Sequence, residues 1–264
     1  GDAVMGVTIA TTIISLIAVI SRLATRLGIV RNAGVDDIFI GIAWLFSVAT
    51  TVTMVLQVKH GMGRHQYDLS EHDQLAQLKP FWVSVIVYNL SISSAKFSIL
   101  FQYLRIFPQQ RFRQACYTLM AVVGIYSCWT FFSAVFACSP ISFFWNPMQE
   151  GHCLNRFAVW FANAGMNIVT DVATALLPLP VLKSLELPPR QKHVLLVIFA
   201  LGGFTCIVSI LRLYSLYVIS ATTDISWNNP LAAIWSSVEI NTGILCSCLP
   251  TLKGCVTRFF PNLF

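Results

Sequence analysis

The sequence has little charge for its length. Of its 264 residues, Asp, Glu, Lys and Arg together make up 11%, whereas hydrophobic residues make up 56% and the mean hydropathy is +0.71. Soluble domains carry about 25% charged residues, so this composition excludes both a soluble globular domain and a disordered chain. No repeat, low-complexity segment or polar linker interrupts the sequence. We therefore expect one integral membrane domain over residues 1–264.

Long apolar runs dominate what is present. A helix needs about 20 apolar residues to cross a bilayer, and we predict seven such spans, near 4–24, 36–57, 79–105, 113–137, 157–181, 194–219 and 230–252. The runs are continuous, whereas strands of a transmembrane barrel alternate in polarity over about 10 residues. The predicted fold is all-α, a polytopic seven-transmembrane helix bundle. Its first run is too long for a cleaved signal, so we expect a retained helix.

Basic residues predict the orientation of this bundle. Eleven fall on one side of the membrane, namely Arg22, Arg26, Arg31, Arg105, Arg111, Arg113, Lys183, Arg190, Lys192, Lys253 and Arg258. Four fall on the other, namely Lys59, Arg64, Lys79 and Arg156. The positive-inside rule then places the N-terminus outside and the C-terminus in the cytoplasm. The net charge of +6 thus reflects topology and contact with anionic lipid in the plasma membrane or an endomembrane, not nucleic-acid binding.

Four ionisable residues lie well inside the apolar runs: Lys96, Asp171, Arg212 and Glu239. A charge in hydrocarbon costs roughly 2.5 to 3.5 kcal/mol, so such residues pair with one another or face a bundle interior. Their depths in the spans predict pairing of Lys96 with Asp171 and of Arg212 with Glu239. Two interpretations stay open: a structural set of ion pairs that fixes helix packing, and a functional polar site.

Polar residues recur on one face of each helix that carries these charges. The spacing of Asn163, Asn167 and Asp171 by four residues places them on a single face of the fifth span. Because a polar stripe in lipid must face protein or water, four such faces predict a common polar interior. The candidate ligand-binding residues are Trp82, Asn89, Lys96, Asn163, Asn167, Asp171, Arg212, Trp235 and Glu239. If the protein is an enzyme, Asp171 and Glu239 are also the candidate catalytic proton donors.

The outer connections hold two further candidates. His65 follows the Gly61-Met62-Gly63 turn and is suited to proton transfer, so it is a third catalytic candidate beside a purely structural role in the loop. Cys138 and Cys153 lie in a connection that the predicted orientation exposes to an oxidising compartment, which predicts a disulfide. The cysteines and histidines show no metal-ligand spacing, and we predict no metal or other cofactor.

At the start of the second span, Asp36 and Asp37 are placed to cap free backbone N–H groups.

Taken together, these segments resemble the fungal rhodopsin-domain family. The resemblance covers nearly the whole chain and rests on Asp36-Asp37, Gly61-x-Gly63-Arg64-His65, Lys96 to Arg105, Cys138-x-Pro140 with Trp145 and Cys153, Asn167-x-x-x-Asp171, Leu187-Pro188-x-Arg190-Gln191-Lys192, Gly202-Gly203-Phe204, Ser209-x-x-Arg212 and Trp235-x-x-x-Glu239. It implies a fungal seven-helix membrane protein. Some members of that family are receptor-like, and others belong to secondary-metabolite gene clusters.

Two features limit what the resemblance implies. The seventh span has no lysine before Lys253 at its end, so we predict no retinal. The third span ends in Leu104-Arg105-Ile106 rather than an acidic-Arg-aromatic triplet, and the cytoplasmic connections are short, which disfavours G-protein coupling. We therefore expect a receptor-like protein that binds a lipophilic small molecule. The alternatives are a membrane-embedded cyclase or isomerase for a lipophilic metabolite and, with less support because no inverted repeat is evident, a transporter.

Overall fold

In the computed structural model, seven helices of more than 20 residues run through the described part of the chain. They are α1 (Asp2–Ala24), α2 (Val35–Lys59), α4 (Leu78–Ile106), α5 (Gln110–Val135), α6 (Arg156–Leu176), α7 (Pro189–Ala221) and α8 (Ile225–Phe259), with the short α3 (Glu71–Ala76) before α4. The structure describes residues 1–29, 32–146, 149–180, 189–222 and 224–259, and of these only the backbone for 29, 189–199, 201, 225 and 252–259. Most of the predicted cytoplasmic connection 183–193 lies outside the described residues.

The helices confirm an all-α polytopic membrane protein. Six segments are long and apolar enough to cross a bilayer: Asp2–Gly28, Val35–Lys59, Glu71–Ile106, Gln110–Val135, Gly202–Ala221 and Ser226–Thr251. The predicted fifth span is present as the 21-residue helix α6 but is not among these six. Asn163, Asn167 and Asp171 lower its hydropathy, and these are the residues that predicted an inward polar face.

Helices α4 and α8 form the centre of the bundle. The apolar windows in their two spans are 56% buried, against 22–33% for the other four. Helix α8 contacts α1, α2, α4 and α7, while α4 also packs on α2 and α5. Their shared core joins Tyr88 and Ile92 of α4 to Ile240 and Ile244 of α8. A polar side chain on the facing sides of α4 and α8 is therefore shielded from lipid.

The outward faces are apolar. On α1, Ile13, Ile17 and Ile20 are each more than half exposed. Exposing such an apolar surface to water would be strongly unfavourable, whereas contact with lipid tails is not. The backbone is also compatible with lipid, because a helix satisfies its own backbone hydrogen bonds. The same helix turns Thr8, Thr12 and Ser15 inward, where they are buried.

The connection between α5 and α6 folds into a small cap. Cys138–Ser139 (β1) pairs antiparallel with His152–Cys153 (β2), and a 3-10 turn spans Ile141–Phe144. The predicted disulfide joins Cys138 to Cys153 and closes this hairpin. The cap thus covers the ends of α4, α5 and α6, and its hairpin is held closed by the disulfide.

Candidate functional site

Lys96 of α4 is anchored to α6. Its Nζ lies 3.0 Å from Asp171 Oδ1 and donates to Asn167 Oδ1 at 2.8 Å, to the Asn167 carbonyl at 3.1 Å and to Thr170 Oγ1 at 2.6 Å. An ammonium group has three N–H donors, so four oxygens saturate it. Lys96 therefore has no donor left over for a further partner.

Glu239 of α8 collects donors from three helices. Its Oε1 accepts from Asn167 Nδ2 at 2.6 Å and from Ser209 Oγ at 2.5 Å. Its Oε2 accepts from Tyr88 Oη at 2.6 Å and lies 2.9 Å from Arg212 Nε. The residue is only 4% exposed. Burying a carboxylate this deeply is strongly unfavourable without such partners.

Arg212 of α7 is held by charge and ring contact rather than by hydrogen bonds. Its Nε is close to Glu239, but the N–H points off that oxygen and, within the described residues, makes no hydrogen bond. The guanidinium carbon lies 4.7 Å from the centre of the Tyr88 ring, which is a cation–π contact. In the described part of the chain, Glu239 is therefore the one carboxylate within ion-pair distance of Arg212.

Two bridges join the ion pairs into one unit. Asn167 Nδ2 has two N–H groups and donates to Glu239 and, at 3.1 Å, to Asp171 Oδ2. Ser209 Oγ has a single O–H and lies within hydrogen-bond distance of both carboxylates, 2.5 Å from Glu239 Oε1 and 3.0 Å from Asp171 Oδ2. The formal charges within this unit sum to zero. We call it the buried charge network, and its members are Tyr88, Lys96, Asn167, Thr170, Asp171, Ser209, Arg212 and Glu239.

The structure brings together five of the predicted ligand-binding residues, namely Lys96, Asn167, Asp171, Arg212 and Glu239, and both predicted ion pairs are present. The other four lie elsewhere. Asn89 donates to the Val85 carbonyl of its own helix, and Trp235 is half-buried without a hydrogen bond to the network in the described residues. Trp82 donates to the Ala134 carbonyl, and Asn163 accepts from Trp129.

A cavity lies against one side of the network, between α4, α6, α7 and α8. We call it the bundle cavity; it offers about 70 Å³ to the centres of water-sized spheres. Lys96, Asp171 and Glu239 reach its wall, which is otherwise lined by Ile92, Ala95, Ile99, Gln102, Tyr103, Thr174, Ala175, Gly202, Thr205, Ile240, Gly243, Cys246 and Pro250. One water needs roughly 10 to 15 Å³ by this measure, so the space suits a few waters or a small organic group.

A second, smaller cavity of about 30 Å³ lies beneath the disulfide-closed cap. Trp82, Phe144, Trp160 and Asn163 are among its lining residues. It is on the opposite side of the buried charge network from the bundle cavity, because its α4 residues precede Tyr88 and those of the bundle cavity follow it. Trp82 and Asn163 thus belong to a separate aromatic pocket.

His65 is also remote from the network. Its Nδ1 lies 2.8 Å from Asp224 Oδ2, and its ring stacks on Trp227 at 4.0 Å between centres. The hydrogen bond from His65 lowers the pKa of Asp224 below its usual value. Twelve helical residues separate Trp227 from Glu239, which is roughly 18 Å. The contacts of His65 are those of a loop anchor between the α2–α3 connection and the start of α8.

A further buried charge was not among the predicted sites. Arg22 is 0% exposed; it donates from Nη2 to Asp36 at 2.6 Å, from Nε to Asp37 at 2.8 Å, and from Nη1 to the Ser247 carbonyl. Asp37 still caps α2 by accepting from Gly34 N at 3.0 Å, so the predicted capping role and the ion pair coexist. The available signal was the position of Arg22 inside the predicted span 4–24 rather than in the following connection.

Long apolar helices enclosing an electrically neutral set of buried charges define a helical polytopic membrane protein. The described residues contain no group of three or more His, Cys, Asp or Glu side chains placed to hold a metal ion. The chain belongs to the fungal rhodopsin-domain family, because the family model described as "Fungal rhodopsin domain" matches residues 21–258.

Curated relatives in this family have diverse descriptions. The chain is 31% identical over 205 residues to a SAT4 family membrane protein of Emericella nidulans, which covers 76% of this chain and 52% of that protein. It is 23% identical to Receptor GIN3 of Arthrobotrys oligospora, with coverage of 75% and 48%. It is 27% identical to Polyenoic acids biosynthesis gene cluster protein Ba17b of Metarhizium anisopliae, with coverage of 72% and 55%.

The chain spans about half the length of these curated relatives. No solved structure matches it.

Proposed function

We propose that this protein is a receptor-like membrane protein that binds a lipophilic small molecule in the bundle cavity. The observation that carries the proposal is the composition of the cavity wall, where Lys96, Asp171 and Glu239 meet an apolar lining. Ligand pockets combine a mainly apolar wall with a few fixed polar groups. The names of two relatives, a receptor in one case and a biosynthesis cluster protein in the other, fit a small-molecule ligand.

The ion pairs in the wall support binding as well as structure. Each charge is matched inside the protein, so the network holds four helices in one arrangement without needing a ligand. A wall held this rigidly presents its polar atoms at fixed positions, which lowers the entropic cost of binding. The structural interpretation and the binding function are therefore compatible.

A cavity-filling substitution tests the proposal. At Gly243, an added Cβ would lie 4.0 Å from Ala95 Cβ, so Gly243→Leu fits the helix and extends into the cavity. Gly203 is exposed with open space around it, and Gly203→Leu is the matched control on the lipid face. We expect mass spectrometry to find a lipophilic compound co-purifying with the wild type and Gly203→Leu but not with Gly243→Leu. Identical compounds in all three would refute the proposal.

The enzyme alternative is favoured by one observation. Asp171 and Glu239 both reach the cavity wall, where a carboxyl group in contact with a bound substrate can act as a general acid or base. In a heterologous fungal host, an enzyme should convert a metabolite and lose that conversion on Asp171→Asn or Glu239→Gln. Unchanged metabolite profiles on deletion of the protein would remove this alternative.

The predicted orientation is part of the proposal. With the N-terminus outside, as the excess of basic residues predicts, the disulfide-closed cap would lie outside and the end of the bundle cavity that Pro250 lines would lie towards the cytoplasm. An Asn-x-Ser acceptor sequence inserted beside Tyr67 should be glycosylated, whereas one inserted beside Pro108 should not. The reverse pattern would overturn the orientation.

A further inference from the structure

Two polar groups on the wall of the bundle cavity lack a full set of partners. Tyr103 is 9% exposed and Gln102 is 2% exposed, and both line the cavity. Within the described residues, the Tyr103 hydroxyl makes no hydrogen bond, while Gln102 uses one end of its amide, whose Nε2 donates to Thr251 Oγ1 at 3.2 Å. Neither the Tyr103 hydroxyl oxygen nor the Gln102 amide oxygen is among the fully buried atoms without a partner, so both keep contact with open space beside the cavity. A molecule that replaces water there must offer these two groups a hydrogen-bond partner.

The charged groups on the same wall have no such vacancy. Lys96 is saturated by four oxygens. Glu239 receives Tyr88, Asn167 and Ser209 and pairs with Arg212, and Arg212 does not line the cavity. A charged ligand would lose its hydration on entering the cavity, and the charged groups of the wall are already paired with one another. Binding of a charged ligand is therefore strongly unfavourable.

We infer that the bundle cavity selects a neutral lipophilic molecule carrying a hydroxyl group, an inference that rests on the function proposed above. A hydroxyl both donates and accepts. The hydroxyl of the ligand can accept a hydrogen bond from the Tyr103 hydroxyl and donate one to the Gln102 amide oxygen. If the Gln102 amide is turned over, so that its NH2 group faces the cavity, the ligand hydroxyl accepts from it instead. The apolar remainder of the ligand packs against Ile92, Ile99 and Ile240.

The cavity volume sets the size of a suitable probe. About 70 Å³ of centre-accessible space corresponds to roughly five waters, or about 150 Å³ of liquid volume. A benzene ring with one small substituent is of this order. Four probes then differ only in the substituent: phenol is neutral with a hydroxyl, toluene is apolar, benzoate is an anion and benzylammonium is a cation.

Equilibrium dialysis against protein in lipid nanodiscs measures the affinities, with empty nanodiscs subtracted and Gly243→Leu as the blocked site. We expect phenol to bind roughly two- to tenfold more tightly than toluene, which is the worth of one neutral hydrogen bond. The two ions should bind at least about a hundredfold more weakly. In Tyr103→Phe, which keeps the ring, phenol should lose its advantage while toluene is unaffected.

The outcomes separate this inference from the proposed function. Binding of no probe above the Gly243→Leu background would defeat both, since the cavity would then hold water only. Binding of the anion or the cation as tightly as phenol, blocked by Gly243→Leu, would keep the binding site and overturn its neutral selectivity. An unchanged phenol affinity in Tyr103→Phe would likewise overturn the inference.

Discussion

Replacing Glu239 with glutamine should strongly destabilise the bundle. The substitution keeps the shape of the side chain and an oxygen for Asn167 and Ser209, but it removes the charge opposite Arg212. In the described residues Arg212 Nε makes no hydrogen bond, and the cation–π contact with Tyr88 would be left as the main compensation for its buried charge. Removing one member of a buried ion pair lowers the free energy of unfolding by about 3 to 5 kcal/mol. For a domain of this size, that corresponds to a melting temperature lower by roughly 6 to 20 °C.

The double variant shows whether charge is the cause. Arg212→Gln with Glu239→Gln leaves two neutral amides in place of the ion pair, and replacing both members of such a pair costs far less than breaking it. We therefore expect the double variant to be more stable than either single variant. The matched control is Glu150→Gln, an exposed carboxylate whose loss should change the free energy of unfolding by less than about 0.5 kcal/mol.

Intrinsic tryptophan fluorescence during heating of each variant in lipid nanodiscs measures these differences. Two results would refute the reasoning. One is a Glu239→Gln melting temperature equal to that of Glu150→Gln. The other is a double variant whose loss equals the sum of the two single losses, because additivity means that Arg212 and Glu239 do not interact.

Three further predictions concern regions outside that pair. Changing Cys138 and Cys153 to serine opens a 15-residue loop and should cost about 3 kcal/mol, visible as a lower melting temperature that reductant reproduces in the wild type. Because the pKa of Asp224 is lowered by its hydrogen bond with His65, the stabilisation is present above the usual carboxyl pKa of about 3.9 and is lost as pH falls through the folded value. Amide-exchange protection of the His65 loop should fall on acidification, and Asp224→Asn should abolish that dependence. Arg22→Met should leave the buried Asp37 without its ion-pair partner and remove the nearest partner of Asp36, which keeps Arg26 at 3.4 Å and Arg105 at 3.3 Å. We expect a lower yield of folded protein in size-exclusion chromatography, whereas a variant that folds like the wild type would contradict the role assigned to Arg22.

The sequence was sufficient to predict the buried ion pairs because two constraints coincide. Helical spacing places Asn167 and Asp171 on one face of α6, and the cost of an unpaired charge in lipid requires Lys96 to find a carboxylate at a similar depth. Depth also predicted that Arg212 would meet Glu239. Both pairs are formed in the structure.

Helix spacing alone was not sufficient for the remaining site residues. Asn163 shares a face with Asp171 but lies eight residues earlier, roughly 12 Å along the helix, and so contacts Trp129 beneath the cap instead. Tyr88 has no distinguishing signal in an apolar run, yet it donates to Glu239. Its role depends on the rotation of α4 against α8, which tertiary packing decides.

Arg22 was overlooked for a different reason. Its position near the end of a span made it count as a connection residue, which positive charge at a membrane boundary normally is. The carboxylates of Asp36 and Asp37, read as caps, are also its partners. Two valid local explanations together concealed a long-range contact.

The order in which the paired charges are synthesised gives the buried charge network a role in biogenesis. Lys96 leaves the ribosome about 75 residues before Asp171, roughly 4 to 15 s earlier at usual rates of translation. During that interval α4 carries an ammonium group without its carboxylate and is poorly suited to lipid. Helix α4, which lies at the centre of the folded bundle, is thus a helix whose buried charge is compensated only after α6 has been synthesised. The buried charge network therefore links the stable insertion of α4 to the arrival of later spans.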